Sequence, residues 1–122
     1  MVSGWTVVEM EGWRILVGRN ARANDELTFG VGRPKDLWLH AQGATGSHVL
    51  VQVPDDQDTP PPTVVTRAAE LAAWHSKARG TGRKATVHVS RVQDVRKDRG
   101  SPPGQVRLVR YRTLRVYPRG MD

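Results

Sequence analysis

Cysteine is absent from the 122 residues, which removes disulfide staples, cysteine-ligated zinc and thiol catalysis together. Small secreted domains usually rely on cross-links, so their absence favours a reducing compartment. No apolar run is long enough to span a bilayer, and the N-terminus lacks the basic-then-apolar layout of a signal peptide. A cytoplasmic location without a membrane partner is therefore expected. Internal repeats and the period of a helical bundle are missing too. What remains is a chain of ordinary domain size that is 38% hydrophobic, enough for a modest core. Residues 1–122 are expected to form a single domain.

Acidic residues are scarce in one place. Residues 1–82 carry eight basic and nine acidic side chains, whereas residues 83–119 carry eleven basic and two acidic. Most of the formal net charge of +7 is thus confined to the last third of the chain. Such segregation raises a positive potential that attracts polyanions. Nine of those eleven cations are arginine, whose planar fork suits phosphates and whose flat face stacks on bases. A disordered basic tail would not alternate its charges with apolar residues as this segment does.

Periodicity organises the rest. Trp13, Ile15 and Val17 alternate as the first strand, bracketed by Gly12 and Gly18. The polar stretch from Arg19 to Leu27 suits a loop or a short helix. Strands follow at Asp36–His40 and Ser47–Val53, joined through a glycine-rich connection, Gly43-Ala44-Thr45-Gly46. After the acidic and proline-rich loop 55–62, Thr63 is expected to cap a helix of about four turns. Its apolar stripe is Val64, Ala68, Leu71, Ala72 and His75, with His75 a packed core residue. Lys77 and Arg79 would complement the dipole in its last turn, and Gly80 and Gly82 would end it. Lys84–Ser90 alternates with Ala85, Val87 and Val89 inward. Arg96–Gly104 is a basic turn stiffened by Pro102 and Pro103. Gln105–Tyr111 and Thr113–Val116 are expected to form an edge or closing hairpin. The fold class is α+β, a mostly antiparallel sheet with one main helix packed on it.

A hairpin of 36–40 with 47–53, centred on Ala44, sets Leu39 against Val49, Leu37 against Val51 and His40 against His48. A slip of one residue would bury His48 and expose the valines, so the register is well determined. Asp36, Trp38, His40 and His48 then form an outward surface, where an indole can stack a base and imidazoles can hold phosphates or base edges. Trp38 equally suits a second core layer. The histidines have no third well-placed ligand, so no metal and no cofactor is expected. Imidazole also suits acid–base cleavage of RNA, yet no nucleophile or spacing specific to that chemistry accompanies the pair.

Taken together, these segments become familiar. Val17-Gly18-Arg19-Asn20-Ala21, Asn24-Asp25-Glu26-Leu27-Thr28, Asp36-Leu37-Trp38-Leu39-His40-Ala41 and Gly46-Ser47-His48-Val49 resemble the NFACT-R domain. So do Ala68-Ala69-Glu70-Leu71-Ala72-Ala73, Ser76-Lys77-Ala78-Arg79, and Val95-Arg96-Lys97 with Pro102-Pro103-Gly104. That domain is the RNA-binding part of ribosome quality-control factors and fibronectin-binding-like proteins. The motifs run in family order from about Gly12 to Pro118, although the family's glycine-x-proline-glycine turn reads Gly43-Ala44-Thr45-Gly46 here.

The resemblance implies a non-catalytic domain that recognises tRNA or ribosomal RNA of the large subunit, in quality control or translation. The family's clamp, helical-hairpin and coiled-coil modules are absent, which implies a stand-alone version or a separate protein that supplies them. Carried over residue by residue, the RNA-binding set is Arg19, Asn20, Asn24, Asp25, Trp38, His40, Ser47, His48, Lys77, Arg79, Arg96 and Lys97. Asn20, Asn24 and Asp25 equally suit turn formers. The competing readings are a small His-dependent ribonuclease and a basic protein-interaction module.

Overall fold

The computed structural model describes residues 4–43 and 45–120. Ala44, the centre of the expected hairpin, lies outside the described residues, as do residues 1–3 and 121–122. The main sheet contains β1 (Trp5–Met10), β2 (Trp13–Gly18), β3 (Leu37–Ala41), β4 (Val49–Val51), β5 (Ala85–Arg91) and β8 (Arg112–Val116). Its order is β1-β2-β4-β3-β5-β8, and every neighbouring pair is antiparallel. A two-stranded ribbon pairs β6 (Val95–Arg96) with β7 (Arg107–Leu108). Two α-helices, α1 (Ala21–Asp25) and α2 (Pro62–Trp74), complete the α+β architecture.

The strand β1 is not among those expected from the sequence. It joins β2 through Glu11 and Gly12, whose φ values of 51° and 82° are both positive. Such a two-residue turn usually advertises itself as Asn-Gly or Asp-Gly; glutamate tolerates the left-handed region less well, so the signal was weak. The last two strands were expected to pair with each other, and they do not. β7 turns back through Pro102–Gly104 onto β6, and β8 crosses to the far edge of the main sheet beside β5.

Helix α2 starts and stops differently from expectation. Pro61 and Pro62 open it, with the Pro61 carbonyl accepting from the amides of Val64 and Val65. Proline is at home there because its missing N–H would be unpaired anyway. The hydroxyl of Thr63 caps nothing and instead donates to the Glu11 carboxylate at 2.7 Å. At the other end the helix finishes at Trp74, well before Gly80. Ser76 closes it, its hydroxyl donating to the Ala73 carbonyl at 2.7 Å and accepting from the Ala78 amide at 3.1 Å. Lys77 and Arg79 therefore lie beyond the helix rather than in its last turn.

One face of the sheet meets α2. Val64, Ala68, Leu71 and Ala72 pack on Ile15, Val17, Leu37, Leu39, Val49, Val51 and Val87, all buried. Each fully buried valine or leucine contributes about 1.5–3 kcal/mol, so this layer carries most of the stability. The other face is covered only in part. α1 runs on into a π-helical turn, Glu26–Val31, whose Leu27 packs on Leu16 and Leu50. The β6–β7 ribbon lies beside it. Along β8 that second face has no layer above it among the described residues: Tyr111, Thr113, Arg115 and Tyr117 are exposed.

Candidate nucleic-acid interface

The observed β3–β4 register is the expected one, Leu37 opposite Val51 and Leu39 opposite Val49. Asp36, Trp38, His40 and His48 do fall on the side away from Leu37 and Leu39, but they are not outward. Trp38, Asp36 and His48 are each 1% exposed, and His40 is half-buried. The second layer, whose π-helical turn and ribbon cover that part of the sheet, buries Trp38 and His48, whereas the Asp36 carboxylate accepts the amides of Arg33 at 2.9 Å and Val53 at 2.8 Å. Trp38 is thus second-layer core.

A continuous chain of hydrogen bonds fixes Trp38 and His48. The Trp38 indole Nε1–H donates to Thr28 Oγ1 at 3.2 Å, and Thr28 Oγ1 lies 2.9 Å from His48 Nδ1. His48 Nε2 lies 3.0 Å from the Gly104 carbonyl, which can only accept, so the proton sits on Nε2. The Thr28 hydroxyl then donates to Nδ1, and every member of the buried chain is satisfied. Burial pushes the His48 pKa down to about 4; repulsion from His40 adds to this, and the Gly104 carbonyl and Asp25 oppose it. Both ring nitrogens of His48 are thus engaged within the protein, and the ring is uncharged near neutrality.

Asn24 is a bridge rather than a local turn former. Its side-chain amide donates to the Gly46 carbonyl at 3.0 Å, and its Oδ1 accepts the His48 amide at 3.0 Å. Gly18 makes room for it, since a Cβ there would stand 2.0 Å from Asn24 Oδ1. Asn20 does form a turn, capping α1 by accepting the Ala23 amide at 2.8 Å. Asp25 accepts the Gly104 amide at 3.0 Å and pairs with Lys97 at 3.1 Å. Lys97 also donates to the carbonyls of Pro102 and Gln105, so its ammonium ties the ribbon to α1. The Ser47 hydroxyl donates to the Gly18 carbonyl.

Between the sheet and the ribbon lies a cleft of about 810 Å³. Seven of the expected residues line it: Arg19, Asn20, Asn24, Trp38, His40, Ser47 and His48. Asp25 and Lys97 stand behind its wall, Arg96 is exposed on β6, and Lys77 and Arg79 follow α2, with the Arg79 guanidinium 4.0 Å from the Trp74 ring. Sequence reasoning missed His75 and His88, so that all four histidines of the chain line one cleft. His75 ends α2 instead of packing in the core, and its buried Nε2 has no hydrogen-bond partner among the described residues. His88 lies opposite His40 across β3 and β5. Burial pushes all four imidazoles down in pKa, so the histidines of the cleft wall are uncharged near neutral pH. Such a wall presents donors and acceptors to a base edge, and Arg19 supplies its cation.

A family model described as NFACT protein RNA binding domain matches residues 2–110. The chain belongs to that family. The chain is 42% identical over 104 residues to the Rqc2 homolog RqcH of Streptococcus suis, covering 85% of this chain and 18% of that protein. To the Rqc2 homolog RqcH of Bacillus subtilis it is 35% identical over 115 residues, covering 93% of the chain and 19% of the relative. A Drosophila melanogaster homolog of the ribosome quality control complex subunit NEMF is 31% identical over 71 residues, 58% of the chain and 7% of the relative. The NFACT domain therefore spans under a fifth of the length of these relatives. The solved C-terminal part of the fibronectin/fibrinogen-binding protein of Streptococcus suis superposes with a TM-score of 0.86 at 38% identity, covering 98% of this chain and 47% of that one.

Proposed function

We propose that this NFACT domain binds tRNA or ribosomal RNA without transforming it, in the service of ribosome quality control or translation. The observation that carries the reading is where the unpaired cations sit. Arg19 lines the cleft, and Arg96 and Arg99 belong to the ribbon that walls it; all three are exposed and make no ion pair among the described residues. Exposed arginines of this kind reach phosphates, while a cleft lined by neutral imidazoles receives unpaired bases. The relatives' names point the same way, and the large subunit and a protein carrying further family modules belong to the same proposal as partners. A ribonuclease built on His40 and His48 gains no support, because His48 has no free nitrogen.

The test is a titration of the purified chain with labelled tRNA and a ribosomal RNA fragment, with and without divalent metal, followed by a check of RNA integrity. Saturable binding with intact RNA is expected. Failure to bind either RNA would sink the proposal, and cleaved RNA would replace it with the nuclease.

A further inference from the structure

The open part of the sheet's second face differs from the cleft in one respect: it presents aromatic rings to solvent. Tyr111 and Tyr117, flanking β8, are 54% and 57% exposed. Strand alternation puts Thr113 and Arg115 in step with them, on the side away from α2. Across the ladder, Thr86 is opposite Arg115 and His88 opposite Thr113. Each ring has one neighbour. His88 packs on Tyr111 at 4.7 Å between centroids, and the Lys84 ammonium lies 5.5 Å from the Tyr117 ring. Arg115 makes no ion pair among the described residues.

We infer that this face, centred on Tyr111, Arg115 and Tyr117, is a stacking platform for an unpaired stretch of RNA that leads into the histidine-lined cleft. Six steps of strand separate the two tyrosines, about 20 Å, room for a few nucleotides. An aromatic ring offers a π face to any base, and arginine and lysine between the rings take the phosphates. His88 connects the two regions, since it both lines the cleft and touches Tyr111. An acidic peptide would match the charge but has no use for two solvent-facing rings. The inference rests on the RNA-binding reading above.

The experiment measures binding of a labelled uridine strand of about twelve nucleotides and of a blunt RNA duplex, by the wild type, Y111A/Y117A and Y111F/Y117F. The alanine pair is expected to weaken strand binding about tenfold or more, the phenylalanine pair to stay within about twofold of wild type, and duplex binding to change less than about twofold. Equal losses for alanine and phenylalanine, equal losses for strand and duplex, or no loss at all would overturn the platform while leaving RNA binding intact. Polyglutamate binding weakened by the same factor would also overturn it, assigning the tyrosines to a peptide. A wild type that binds neither RNA would instead defeat the RNA-binding reading itself.

Discussion

His48 shows how one side chain ties the second layer to the sheet and makes the fold sensitive to acid. Neutral, it accepts from Thr28 and donates to Gly104. Protonated, it carries a hydrogen on both nitrogens, and the Thr28 hydroxyl must then accept from Trp38 and His48 and lose its own acceptor. Burial, with repulsion from His40 second, makes the folded chain resist a proton that the unfolded chain takes up near the ordinary value of 6.5, and the folded pKa falls to about 4. Below pH 6.5 the unfolded state binds more protons, so stability is complete above that pH and declines as pH falls towards 4. Between pH 6.5 and 5, before carboxylates titrate, the loss from His48 is expected to reach about 2 kcal/mol. His40, His75 and His88 are shifted the same way and add to the slope. Urea unfolding at several pH values checks this in wild type and His48→Gln. The variant should show a shallower decline, and an identical slope would mean that His48 is not the group responsible.

At the scale of elements, the β6–β7 ribbon matters most, because it turns a bare sheet face into a cleft. It is held at few points: Gly104 to His48 and Asp25, and Lys97 to Asp25 and two carbonyls. Lys97→Ala is expected to cost about 1.5–3 kcal/mol, since it strips charge-assisted bonds from a half-buried ammonium. Its signature is faster hydrogen exchange at the Gly104 amide. The exposed neighbour Arg96→Ala should stay within about 0.5 kcal/mol and leave that amide protected. Equal exchange in the two variants would show that Lys97 does not pin the ribbon. The contrast also marks what the sequence could reveal. Alternation in 36–40 and 47–53 was enough for the register of β3 on β4 and for the face that Trp38 occupies. It could not say what lies above that face, because the covering bonds join residues 56 and 79 positions apart. His88 stayed hidden for the same reason: its place in the cleft depends on the pairing of β3 with β5, which no local pattern announces. Lys97 read as a free surface cation because its partner Asp25 lies far back in the chain.

For the molecule as a whole, the asymmetry of charge along the sequence becomes an asymmetry of layers. The nearly neutral first part builds α2 and the central strands, whereas the basic last third supplies β5, the ribbon and β8. Within that third, Lys97 and Arg107 are neutralised by Asp25 and Asp98. Arg96, Arg99, Arg110, Arg112 and Arg115 are exposed and make no ion pair among the described residues. Exposed arginines that stay unpaired inside the protein are available to displace counterions from RNA phosphates. If about four of them do so, the logarithm of affinity should fall with the logarithm of salt at a slope of roughly −3 to −3.5. A rise from about 50 to 200 mM salt then costs on the order of a hundredfold in affinity. Because the cations are spread over ribbon and edge strand, Arg96→Ala should remove only about one unit of slope, and Arg110→Ala with Arg115→Ala about two. Titrations with tRNA at several salt concentrations decide the matter. A flat salt response would mean that the cations serve solubility alone. A slope unchanged by either set of substitutions would place the phosphates on another face of the domain.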